Sequence, residues 1–129
     1  MKTIQQVAEE TGLSPHTLRY YERIGLIDPV ERAATGHRRY SDHDIAIIVF
    51  LTHLRSTDMP IAEMQRYMTM MRDGVGTAED RLRLLEEHRD RVAERLEEIQ
   101  THLALIDHKI TNYKSGLERR RRDQEAAVS

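Results

Sequence analysis

Apolar residues recur along the first part of the chain at the three- and four-residue steps of a helix. Ile4, Val7 and Ala8 share a face. Thr3 and Gln6 have the spacing of a capping box, in which the threonine oxygen takes a free amide and the glutamine reaches back. A first helix is therefore predicted from about Ile4 to Glu10, and Gly12 permits the tight turn after it. Ser14 is a good N-cap, and Pro15 stands at the first helical position, where its missing amide costs nothing. This predicts a second helix from Pro15 to Ile24, stopped by Gly25. Leu26–Ile27 and Arg39–Tyr40 then flank a polar loop, residues 28–38, with Pro29 and Gly36, the pattern of a short two-stranded wing. Ser41 and Asp44 repeat the capping-box spacing, and Ile45, Ile48, Val49 and Thr52 carry a third helix to about Ser56. Pro60 opens a fourth, with Ile61, Met64, Tyr67, Met68 and Met71 on one side. Gly74 and Gly76 end it in a hinge-like break.

The pattern changes at Leu82. Positions 82, 85, 89, 92, 96, 99, 103, 106, 110, 113 and 117 alternate steps of three and four, and Arg89 alone among them breaks the apolar seam. No Pro or Gly interrupts residues 78–115. Sustained heptads specify a coiled-coil helix. One such helix has nothing of its own to bury the seam against. The pattern predicts self-association through Leu85, Val92, Leu96, Ile99, Leu103, Ile106, Ile110 and Tyr113. The chain so divides into a head, 1–74, a dimerisation helix, 75–118, and a basic tail, 119–129, in which Arg119 to Arg122 are expected to be solvated and disordered.

Composition agrees with a small head and a long solvated helix: 33% of the 129 residues are charged and 39% hydrophobic. The net charge is −2, so bulk charge gives no argument for nucleic acid; only the placement of Lys and Arg can. Cysteine is absent, which excludes disulfides, thiolate metal sites, thiol redox sensing and cysteine nucleophiles. The longest apolar run, Ile45 to Leu51, is far short of a membrane span, and the first ten residues lack the apolar stretch of a signal peptide. A cytoplasmic protein with no membrane partner is expected. His53, His88, His102 and His108 show no paired-ligand spacing on one helix face, so they read as packing or solvent-facing histidines, with no metal and no cofactor. Met64, Met68, Met70 and Met71 read as core filler or as the lining of an apolar pocket. No nucleophile–base set and no glycine-rich phosphate loop is present, so an enzyme is not expected.

Two short helices joined by a glycine turn and followed by a wing describe a winged helix-turn-helix. The fold class is thus mainly α, a winged helix-turn-helix head followed by a long coiled-coil helix. The second helix would present His16, Thr17, Arg19, Tyr20 and Arg23 outward, with Leu13, Leu18 and Ile24 inward. Such a helix fits the major groove; the alternative is a helical hairpin with a solvated charged face. The run Ser14-Pro15-His16-Thr17-Leu18-Arg19-Tyr20-Tyr21-Glu22-Arg23-Ile24-Gly25-Leu26-Ile27 resembles the hallmark segment of MerR-family transcriptional regulators. Gly36-His37-Arg38-Arg39-Tyr40-Ser41 resembles the family's first-wing exit, and Arg55 to Glu63 its second wing entering the fourth helix. The heptad helix is similar to the family's antiparallel dimerisation helix. The resemblance covers roughly residues 2–115.

The resemblance implies a homodimer on a near-palindromic site inside a promoter whose spacer is overlong. Bending and underwinding that spacer lets RNA polymerase use both promoter elements. Matched to the motif, Thr17, Arg19, Tyr20 and Tyr21 belong to the recognition helix, and Arg38, Arg39 and Tyr40 to the first wing. Arg55 would touch phosphate near the second wing. Tyr21 and Tyr40 can equally be core aromatics. Residues 81–89 and 106–110 resemble the branch that responds to aldehydes and nitrosative stress, whose cysteine falls near Thr52. With no thiol that chemistry does not carry over. Either a small effector binds in a crevice at Phe50, Thr52, Met64, Tyr67 and Met68, or none exists. The alternative functions are a DNA-bending accessory protein without effector and a coiled-coil protein-interaction module.

Overall fold

The structure, a computed structural model, describes residues 1–128. Local capping chemistry places its first helices. α1 (Ile4–Thr11) starts at Thr3, whose Oγ1 accepts the Gln6 amide at 3.2 Å while Gln6 Oε1 accepts the Thr3 amide at 2.8 Å. Gly12, with φ +78°, turns the chain in the left-handed region that a side chain would disfavour. α2 (Pro15–Arg23) starts at Ser14, whose Oγ accepts the Thr17 amide at 3.1 Å. α3 (Asp42–Ser56) begins with the Ser41–Asp44 capping box, and α4 (Ile61–Asp73) follows Pro60. A single 3₁₀ turn, Val75–Thr77, leads into α5 (Ala78–Val128).

The wing differs from its sequence pattern. Its strands are β2 (Glu31–Arg32) and β3 (Arg38–Tyr40), paired antiparallel with Arg32 opposite Arg38. A third strand, β1 (Lys2–Thr3), joins the other edge of β3, with Thr3 opposite Arg39, so the sheet order is β1-β3-β2. Leu26 and Ile27 form no strand. Both are buried, and the Leu26 amide donates to Tyr21 O at 2.9 Å, so the chain doubles back and turns these apolar side chains into the core. A solvent-facing ribbon offers such residues no burial; the polar residues further along build it instead.

The head has one apolar core. Val7, Leu18, Leu26, Tyr40, Ile48, Leu51, Met59 and Met64 are fully buried, and they come from α1, α2, the sheet, α3, α4 and the turns after α2 and α3. Polar ties hold α4 to the end of α2: Gln65 Nε2 donates to Ile24 O at 3.1 Å, and Arg72 Nη2 to Gly25 O at 2.6 Å. Arg72 Nε also pairs with Asp28 at 2.7 Å.

The chain divides into two units, and the division falls after His88 rather than at Gly74. Leu84 and His88 are buried and Leu85 packs against the core, so the first turns of α5 are part of the head. The second unit begins at Arg89. Within it Leu96, Ile99, Leu103, Ile106, Ile110, Tyr113 and Leu117 are each 47–65% exposed. Val92 is half-buried. Residues 119–128 are helical, where a disordered basic tail was expected. Arg, Gln, Glu and Ala are all good helix formers, and Glu118 pairs with Arg122 at 3.8 Å one turn on. Ser129, the last residue of that expected tail, lies outside the described residues. No helix among the described residues is long and apolar enough to cross a membrane.

Ile48, on α3, is fully buried in this core. Ile48→Ala is expected to lower stability by about 2–5 kcal/mol through lost transfer energy and the cavity left behind. Urea unfolding followed by circular dichroism measures it; an unchanged midpoint would show that the head's core does not close around α3.

Candidate nucleic-acid interface

The two faces of α2 differ sharply. Leu18 and Tyr21 are buried beneath it, while His16, Arg19, Tyr20 and Arg23 are exposed above. Thr17 is half-buried, with its hydroxyl 3.0 Å from Ser14 Oγ. The Arg23 guanidinium lies over the Tyr20 ring, 5.4 Å from its centroid, so a cation and a flat aromatic face are offered together.

Glu22 fixes the wing to this helix. Its carboxylate accepts Arg38 Nε at 2.6 Å and lies 3.8 Å from Arg32 Nη2, and the Arg38 side chain is largely covered. Arg38 therefore has a neutralising partner inside the protein. A concavity of about 370 Å³ opens beside it, lined by Thr3, Ile4, Gln5, Arg19, Gly36, His37, Arg38 and Arg39. The fold thus brings Arg19, Arg38 and Arg39 to one place, from two elements about twenty residues apart in the chain. Arg55 stands elsewhere, exposed at the end of α3, where its Nη1 donates to Met59 O at 3.4 Å across the following turn.

Tyr21 and Tyr40 are 4% and 0% exposed, so of the two readings open to them the rings occupy the core. Burial raises both phenol pKa values above 10.0. The Arg55 guanidinium opposes this at Tyr21, and Arg38 and Arg19 oppose it at Tyr40. Among the described residues no hydrogen-bond partner reaches the buried Tyr40 Oη.

Of the five residues expected to line an effector crevice, the single chain closes three into its core. Met64, Tyr67 and Met68 are buried in the core, and the half-open Phe50 ring leans on Tyr67 at 5.6 Å and 51°. The Thr52 hydroxyl donates to Ile48 O at 2.8 Å. Unbranched methionines and tilted aromatic faces close such gaps well. Among the described residues no group of three or more His, Asp or Glu could hold a metal ion.

Two long-range contacts near these residues have no clear sequence signal. One is Glu22 as the wing's anchor, marked only as a lone acid on a face otherwise made of cations and aromatics. The other joins Thr57 Oγ1 to His88 Nε2 at 2.7 Å, across 31 positions, and no local pattern announces it.

Comparison with known proteins shows the family. A family profile described as MerR HTH family regulatory protein matches residues 2–71, and one described as MerR, DNA binding, matches residues 45–109. The HTH-type transcriptional regulator AdhR of Bacillus subtilis is 42% identical over 91 residues, 70% of this chain and 65% of that protein, so the chain spans just under two thirds of that relative's length. The crystal structure of a Listeria monocytogenes transcriptional regulator ascribed to the MerR family superposes with a TM-score of 0.87 at 32% identity and covers 100% of both chains. That of HiNmlR, a MerR family regulator lacking the sensor domain and bound to promoter DNA, superposes with a TM-score of 0.80 at 32% identity, over 88% of this chain and 90% of the other.

The buried phenols yield a test. Raised pKa values mean that each phenol supports the fold fully below pH 10.0 and withdraws that support as pH climbs through its higher folded value. Tyr40→Phe removes an unpartnered hydroxyl, so it is expected to stabilise the head by about 1 kcal/mol and to leave DNA affinity unchanged. The alkaline loss of stability should also become shallower. Urea unfolding between pH 8 and pH 11 measures both effects, and a drop in affinity would return Tyr40 to the DNA-facing set.

Proposed function

The chain belongs to the MerR family of helix-turn-helix regulators, DNA-binding proteins of transcription, and from that premise we propose that it acts as an antiparallel homodimer on a near-palindromic promoter site, activating by distorting the promoter spacer. Its relatives are transcriptional regulators rather than enzymes.

The observation that carries the reading is the convergence of Arg19 with Arg39 and the tethered Arg38 around one concavity beside the bare face of α2, in a protein whose net charge is −2. Positive charge is concentrated there by placement, where phosphate contacts need it. In this reading α2 enters the major groove with Arg19 and Tyr20 toward bases and backbone, and Thr17 at its start. The wing follows the adjacent backbone through Arg39, with Arg38 holding the wing in place, and Arg55 contacts phosphate on the other flank. The HiNmlR neighbour, bound to promoter DNA, supports it.

Two half-sites on a duplex need two recognition helices at a fixed separation, and one chain has one. The exposed seam from Leu96 to Leu117 supplies the means of pairing. Charge favours the antiparallel arrangement. Residues 79–98 hold eight acidic and five basic residues, whereas residues 99–122 hold two and six. Antiparallel helices set the acidic half against the basic half; parallel ones set like against like. A dimer that bends its site must offset a deformation cost of about 1–10 kcal/mol with such contacts, and RNA polymerase then engages the reshaped promoter. Without cysteine the protein is not switched through a thiol.

Two measurements test this reading. Using a duplex that the wild-type protein selects from a random pool, Arg19→Ala is expected to weaken binding by about 1–3 kcal/mol, with wild-type affinity falling steeply as salt rises. Wild-type affinity in a folded Arg19→Ala protein would remove this residue from the site. Ile99→Asp buries an unpaired charge at the seam, and sedimentation is expected to show monomers or unfolded chain; a wild-type protein that sediments as a monomer at micromolar concentration would refute the dimer.

A further inference from the structure

We infer that His88, at the head end of α5, is a positioning residue for the turn that presents Arg55; the inference rests on Arg55 being a phosphate contact, as proposed above. The turn between α3 and α4 is short and constrained. Asp58 takes φ +69°, a conformation that favours glycine, and its amide donates to Arg55 O at 3.1 Å. The Met59 amide donates to Leu54 O at 3.0 Å, and the Met59 side chain is fully buried. Arg55 lies back across this same turn through its bond to Met59 O.

Thr57 starts the turn, and its hydroxyl is the junction. Oγ1 lies 2.9 Å from His53 O, 3.1 Å from Leu54 O and 2.7 Å from His88 Nε2. A hydroxyl has one proton, and both carbonyls can only accept. The hydroxyl therefore donates to a carbonyl and accepts from Nε2–H, a donor present in the neutral tautomer protonated at that nitrogen and in the cation alike. His88 is 7% exposed, too enclosed to reach DNA itself. Leaving its buried Nε2–H unpartnered is costly, so the imidazole holds Thr57 and, through the turn, the start point of the Arg55 side chain.

The test uses the full chain, its fold checked by thermal melting and its assembly by sedimentation, on a duplex selected by the wild-type protein. His88→Leu removes the donor, Thr57→Val removes the hydroxyl with little change of shape, and His88→Gln retains an N–H. His88→Leu and Thr57→Val are each expected to weaken binding roughly three- to thirtyfold, and His88→Gln to recover most of the loss. The slope of affinity against salt should shrink by about the one contact per subunit that Arg55→Ala removes. In an Arg55→Ala background neither change should cost anything more. Losses that add to that of Arg55→Ala, or wild-type affinity in Thr57→Val, would overturn the inference. Because Thr57 is exposed, its variant completes the cycle even if His88→Leu fails to fold. Wild-type affinity in Arg55→Ala would overturn the site reading itself, and this inference with it.

Discussion

The head is organised around α2, which buries one face and leaves the other bare. Leu18 and Tyr21 anchor the helix from below, against a core drawn from α1, α3 and α4. Gln65 and Arg72 bind the carbonyls of Ile24 and Gly25, just past its last residue, and tie α4 to that end of the helix. None of these contacts uses Arg19, Tyr20 or Arg23. The outer face therefore takes no part in these contacts, and in the reading proposed above its residues answer to what they meet outside the protein. A head of this size can do this because the first turns of α5 join the core and enlarge it.

Electrostatics works by placement. The protein carries slightly more acid than base, yet the cations around α2 and the wing are gathered into one concavity. Glu22 shapes that set as much as any arginine does. By holding Arg38 at 2.6 Å it ties one cation into the fold, and in the reading proposed above Arg19 and Arg39 are the charges left to meet a polyanion. The pair is partly shielded from solvent, which gives it more weight than a surface ion pair.

Much of this was legible in the sequence because it rests on local chemistry. Thr3 with Gln6, Ser14 with Pro15 and Ser41 with Asp44 are signals written within four residues, and the helices start where those signals say. The long helix from Ala78 was equally legible, since periodicity needs no knowledge of the fold. What could not be read depends on distant partners. β1 exists because residues 2 and 3 find the edge of a strand at 39 and 40. Leu26 and Ile27 look like strand residues until the turn after Gly25 points them inward. Tyr40 and Tyr21 sit in a motif whose outline fits either role, and only their enclosure decides between core and surface. The limit of the head at His88 follows from burial of one imidazole against a loop 31 residues away.

The uncovered stripe on α5 ties the amount of protein to its behaviour. An isolated helix in water is marginal, and one that exposes a stripe of large apolar side chains gains by covering them. With a second copy as the cover, helix order and assembly become one mass-action equilibrium, so stability rises with protomer concentration. Occupancy of a promoter would then respond more steeply than in proportion to abundance. At low copy number the chain would spend longer with its helix open to proteases. A regulator that pairs in this way would contain a threshold: synthesis and turnover would set its activity even without any small molecule to sense.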